Sequence, residues 1–201
     1  DQQLGAMLTE TAVFNVIDRV VDRVGPGTAS IKFHVSAVGT PDDQQIARTN
    51  MYYNEANIAS AITEELNEAV HMLLTNRFQP VTVMDVGVEI EVGGARKTGT
   101  IVSARALEKQ ARPGETVQLE VAFDTWRGGK ETRQAAFTIP KDQAAGELRL
   151  VVRGGAGTAW LQQLMKQQEQ NVLRRTKKKE KSFSAVMTDF LKRDRNNDVL
   201  V

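Results

Sequence analysis

The first regular pattern in the chain is helical. Val13, Ile17, Val20 and Val24 recur at three- and four-residue steps, with Asp18, Arg19, Asp22 and Arg23 between them. Thr9 is placed to cap this helix, and Gly25-Pro26-Gly27 ends it. The period then changes to two. Ile31, Phe33 and Val35 alternate with Lys32, His34 and Ser36, which predicts a half-buried strand. Thr40-Pro41-Asp42-Asp43 reads as a turn, and a second strand is expected from Arg48 to Tyr53. Asn54 is read as the cap of a longer helix whose apolar stripe is Ile58, Ile62, Leu66, Ala69 and Leu73, with Pro80 beyond its end. Residues 1–80 therefore predict an α+β segment in the order helix, strand, strand, helix.

From Val81 onward the alternation is sustained. Met84, Val86, Val88, Ile90 and Val92 lead to a Gly93-Gly94 turn and a strand near Lys97 to Leu107. Pro113-Gly114 turns into Val117, Leu119, Val121 and Phe123, and Gly128-Gly129 suits a tight hairpin before Ala135, Phe137 and Ile139. A loop from Pro140 to Gly146 precedes Leu148, Leu150 and Val152. Five short strands at this spacing predict an antiparallel immunoglobulin-like β-sandwich, or a related meander, over residues 81–155. Residues 156–201 predict a short helical C-terminal tail. One amphipathic stretch starts at Trp160, Leu161, Leu164 and Met165, another carries Phe183, Val186, Met187, Phe190 and Leu191, and a basic linker joins them.

Composition narrows the chemistry. The 201 residues carry a net charge of +1, which gives no global field from which to infer a partner. With no Cys, disulfides, thiol catalysis and thiolate metal sites are excluded. Two His residues without Cys do not build the usual zinc spacings, and neither a metal nor a cofactor is expected. Asp194 to Asp198 offers oxygen atoms but lacks the Gly and distal Glu of a calcium-binding loop. Gly154 to Gly157 follows a strand without a Lys-Ser/Thr pair and reads as an exit turn rather than a phosphate cradle. No apolar run of membrane-spanning length and no basic-then-apolar leader is visible, and the start at Asp1 instead of Met suggests a fragment or a processed chain.

Three features remain as candidates. Trp126 and Arg127 stand before the Gly-Gly turn, where an exposed indole can anchor a partner or lie under the guanidinium as a structural stack. Arg174, Arg175, Lys177, Lys178 and Lys179 form a basic run with no interleaved aromatic residue. It reads first as a solvated linker and second as a membrane-surface contact, and nucleic acid is not expected as a partner. His34 with Ser36, or His71, are the groups from which a hydrolase would have to be built, but no Gly-x-Ser-x-Gly or Gly-Asp-Ser-Gly motif is present.

Several short motifs carry a resemblance. Arg112-Pro113-Gly114-Glu115-Thr116-Val117, Thr125-Trp126-Arg127-Gly128, Phe137-Thr138-Ile139-Pro140, Gly146-Glu147-Leu148, Val152-Arg153-Gly154-Gly155 and Asp194-Arg195-Asn196-Asn197 resemble the C-terminal region of bacterial proteins with a SpoIVB-type serine peptidase domain. Thr11-Ala12-Val13-Phe14-Asn15, Asn50-Met51-Tyr52-Tyr53 and Asn76-Arg77-Phe78 sit in matching order. The peptidase motifs of that family belong to a segment before the matched region, so no catalytic residue is carried over. The resemblance implies an extracytoplasmic or cell-envelope parent and a non-catalytic accessory region that scaffolds or regulates an adjacent peptidase domain, or contacts another envelope protein. The alternatives are a stand-alone envelope binding protein that uses the sandwich and Trp126, and a serine-type hydrolase with an unrecognised site. Oligomeric state is left open.

Overall fold

Residues 11, 15, 25–157 and 182–201 are described by a computed structural model. The chain divides into two compact units, residues 1–96 with 164–195 and residues 97–163 with 196–201. The expected first helix lies outside the described residues except for Thr11 and Asn15, which are helical. The expected helix at Trp160 lies outside them entirely.

In the first unit, β1 (Gly27–Val38) is the central strand of an antiparallel sheet. Its alternation does what the sequence predicts: Ala29, Ile31, Phe33, Val35 and Ala37 are buried, while Lys32 and His34 point to the open face. On one side runs β2 (Ile46–Asn54), with Ile31 opposite Asn50 and Phe33 opposite Arg48. Helix α1 (Ile58–Leu74) covers the dry face with Ile58, Ile62, Leu66, Ala69, Val70 and Leu73. Its cap is Asn57, whose side chain accepts from the Ala59 N–H at 3.0 Å. Asn54 instead closes the preceding turn, its Oδ1 accepting from the N–H groups of Ala56 and Asn57 at 2.8 and 2.9 Å. Both residues use a short side chain to satisfy donors that a helix start leaves open.

The other neighbour of β1 is β3 (Thr82–Gly93), and here the expectation is corrected. This strand was expected to open the sandwich, but it is an edge of the first sheet. Val86, Val88, Ile90 and Val92 lie opposite Val35, Phe33, Ile31 and Ala29. Alternation shows which residues share a face and says nothing about which strand lies alongside. A bulge between Ser36 and Ala37 accommodates the extra residue on β3. From Gly27 to Gly93 the chain thus runs strand, strand, helix, strand, in place of a segment closed by its second helix. Helix α2 (Phe183–Leu191) completes the core from far along the chain, burying Phe183, Met187 and Phe190. Ser182 caps it by accepting from the Ala185 N–H at 3.2 Å.

The second unit holds an antiparallel meander of β4 (Gly99–Ala106), β5 (Thr116–Thr125) and β6 (Gly129–Thr138), with β5 central. The Pro113-Gly114 turn forms as expected: Glu115 N–H donates to Arg112 O at 3.0 Å, and Gly114 takes the positive φ of 88° that suits a residue without Cβ. Val117, Leu119, Val121 and Ile139 are buried, with Ile101, Phe123, Phe137, Leu150, Val152 and Val199 packed around them. The five expected strands are therefore not assembled as the spacing suggests. One belongs to the first sheet, three form this one, and Leu148 to Val152 packs without joining a ladder. A separate pair, β7 (Arg153–Gly154) and β8 (Val199–Leu200), ties the chain's end to this unit.

Candidate functional site

The β5–β6 hairpin presents Trp126 and Arg127 at its tip. Thr125 and Gly129 are the last paired residues, leaving Trp126, Arg127 and Gly128 as the loop. Trp126 N–H donates to Thr98 O at 3.0 Å, Gly128 N–H to Thr125 O at 3.3 Å, and the Thr125 hydroxyl to Gly129 O at 2.8 Å. Arg127 has φ of 57°, a left-handed conformation that a Cβ disfavours by roughly 1–2 kcal/mol. The turn's hydrogen bonds hold it there. Its guanidinium lies 5.6 Å from the indole centroid, yet Trp126 remains 49% exposed. The stack and the open indole surface coexist, so one ring face can be held while the remainder is available.

A buried polar network lies in the first unit, and the sequence reading did not single it out. Arg48, Asn50 and Tyr52 alternate along β2 on the face that Ile46 begins, all turned toward α1. Glu65 of α1 meets all three. Its Oε2 accepts from Asn50 Nδ2 at 3.0 Å and from the Tyr52 hydroxyl at 2.8 Å, and its Oε1 lies 2.5 Å from Arg48 Nε. That last contact is an ion pair by distance, with the N–H not directed along a hydrogen bond. Arg48 Nη1 donates to the carbonyls of Phe190, Leu191 and Arg193 at 3.1, 2.9 and 3.1 Å. One buried cation thereby holds carbonyls at and just beyond the end of α2 and favours its negative pole. Arg193 adds a bidentate pair with Glu68, its Nη2 reaching Oε1 at 2.6 Å. Burial, and then the Glu65 charge and hydrogen bond, push the Tyr52 hydroxyl above its ordinary pKa. The available signal was polar residues at i, i+2 and i+4 continuing an apolar strand face.

On the open face, His34 Nε2 and Asp85 Oδ2 are 2.9 Å apart. Gly87 lies opposite His34 in the ladder, and a Cβ there would collide with the imidazole. The missing side chain lets the ring lie across β3 to reach the carboxylate. Ser36 stands opposite Asp85, so register gathers the three residue types at one place. His71 is exposed on α1, which covers the other face of the sheet, and is not brought to them. The basic run of Arg174, Arg175, Lys177, Lys178 and Lys179 lies outside the described residues. Gly155 to Gly157 forms a 3₁₀ turn whose Gly155 N–H donates to Asp198 O at 2.9 Å. Among the described residues no group of three or more metal-ligating side chains is found, and no helix is long and apolar enough to cross a membrane. No family model matches the chain, and neither the curated proteins nor the solved structures contain a match to it.

Proposed function

We propose that this chain is a non-catalytic accessory region of an exported bacterial protein with a SpoIVB-type peptidase domain, and that it docks or regulates that domain. The observation that carries the reading is the presentation of Trp126: half of a large amphipathic ring stands open on a tip held by three hydrogen bonds. A pre-ordered aromatic anchor loses little entropy on binding and is the kind of residue that dominates interface energies. The turn motifs that carry the resemblance include this tip. The sandwich-like closure belongs to the same proposal, with Leu150, Val152 and Val199 supplying a second layer against the dry face of β5. The envelope location follows from the resemblance.

The test is binding of this chain to a SpoIVB-type peptidase domain, with and without Trp126→Ala. A loss of roughly tenfold or more supports the reading, since an interface anchor is worth at least about 1–2 kcal/mol. Unchanged binding by the folded variant removes it. Binding to an isolated envelope polymer or another envelope protein, with none to the peptidase domain, would favour a stand-alone binding protein.

A second reading, a serine-type hydrolase, draws on the His34–Asp85 pair with Ser36 across the ladder. A carboxylate that orients an imidazole is one part of a general-base system. Hydrolysis of an activated ester that survives His34→Ala eliminates it.

A further inference from the structure

Beyond the accessory role, the first unit contains a hollow of about 220 Å³ that the accessory reading does not use. Its place follows from the register. Lys32 pairs with Thr49, Phe33 with Arg48, and His34 with Ala47, so Lys32, His34, Ala47 and Thr49 project from the open face around one spot. Ala47 is the small member and leaves the space. Leu191 and Arg195, at and after the end of α2, complete the wall.

The charge of this wall is one-sided. Lys32, Arg48 and Arg195 line it together with the His34 imidazole and the Thr49 hydroxyl, and none of its lining residues is acidic. On β3, Glu89 is 3.8 Å from Lys32 and Asp85 holds His34. Both pairs are largely exposed, and exposed pairs are weak enough for a better ligand to compete. Arg48 is different. Its side chain is 4% exposed, its charge is shared with Glu65 from beneath, and its Nη2 has no hydrogen-bond partner. A buried guanidinium with an unsatisfied N–H adds a fixed positive potential to the floor, where solvent screening is weak.

We propose that this hollow binds a small oxyanion, the carboxylate or phosphate group of a ligand. Donors of the required kind converge: an ammonium and a guanidinium that tolerate several geometries, an imidazole and a hydroxyl. The apolar side of the wall, Ala47 and Leu191, leaves room for the carbon attached to such a group.

The experiment is an amide NMR titration of the full chain with inorganic phosphate, and separately with acetate, at ionic strength held constant with chloride. Saturable shifts confined to the amides of His34, Ala47 and Thr49 and their neighbours are expected for at least one anion. Phosphate alone saturating assigns phosphate chemistry, and acetate saturating assigns a carboxylate. Lys32→Ala, at an exposed position that the fold does not need, is expected to weaken binding several-fold, and Lys32→Ala with Arg195→Ala by roughly tenfold or more. Shifts that fail to saturate with either anion, or equal affinity in the Lys32→Ala protein, overturn the proposal. Trp126→Ala is expected to leave the titration unchanged, which keeps this result separate from the docking test.

Discussion

The two units build their cores to different depths from similar sheets. In the first, β1 is flanked by strands on both sides and roofed by two helices, and sixteen apolar residues are buried together among the described residues. In the second, β5 also has a strand on each side, but among the described residues only Val117, Leu119, Val121 and Ile139 form the buried apolar cluster. A strand offers one side chain in two to a core, so the depth of that core depends on what lies over the dry face. Long helices provide many large side chains; an extended segment such as Leu148 to Val152 provides few. The thick unit also holds an ionic network in its interior, whereas among the described residues the thin one keeps its charges outside and places its irregular backbone on an exposed tip.

The largest expected effect tests that contrast directly. Phe33→Ala removes a fully buried ring from the thick core and is expected to cost about 3–5 kcal/mol, measured by denaturant unfolding. Leu119→Ala, the corresponding central position of the thin core, is expected near 2 kcal/mol because the shallow site can collapse around the gap. Equal costs would break the comparison.

Glu65→Ala is expected to cost about 3 kcal/mol by leaving Arg48 charged and unpaired. Adding Arg48→Met should recover part of that loss, and a double-mutant cycle checks it. If the cycle shows no coupling, the network does not fix α2.

Tyr52 gives a smaller, pH-dependent effect. The unfolded tyrosine loses its proton near pH 10, while the folded one retains it to higher pH. Its contribution is therefore fully present below pH 10 and declines as pH rises beyond that value. Tyr52→Phe should cost on the order of 1 kcal/mol at neutral pH and flatten the alkaline limb of a stability profile. The smallest effect is a gain: Arg127→Gly relieves the left-handed residue and should stabilise the second unit by up to about 1 kcal/mol, read from its thermal transition.

Much of the secondary structure was legible because period and burial coincide. The stripe of α1 and the rows of β1 and β5 are buried as their spacing predicts. Partnership was not legible. Val86 to Val92 has the same alternation whether its neighbour is β1 or β4, and only the assembled sheet distinguishes them. Leu148 to Val152 shows the complementary limit, since alternation can half-bury Leu150 and Val152 without any ladder. At the candidate sites, Trp126 and Arg127 could be picked out from a local turn pattern. The Arg48–Glu65 contact could not, because it joins a strand to a helix, and three of its hydrogen bonds reach residues 142 to 145 positions away.

The carbonyls that Arg48 holds have a consequence for the order of events during synthesis. The strands and α1 of the first unit leave the ribosome well before Phe183 to Leu191 exists, and at about 5–20 residues per second the interval is on the order of 5–20 s. Over that interval Arg48 has no helix end to hold, and the apolar surface destined for Phe190 and Met187 has no cover. The closing residues then serve both units in turn, α2 for the first and β8 for the second. Until Phe183 to Leu191 has emerged, the nascent chain therefore carries uncovered apolar surface, and a chain cut short before Phe183 is expected to be cleaved faster in limited proteolysis.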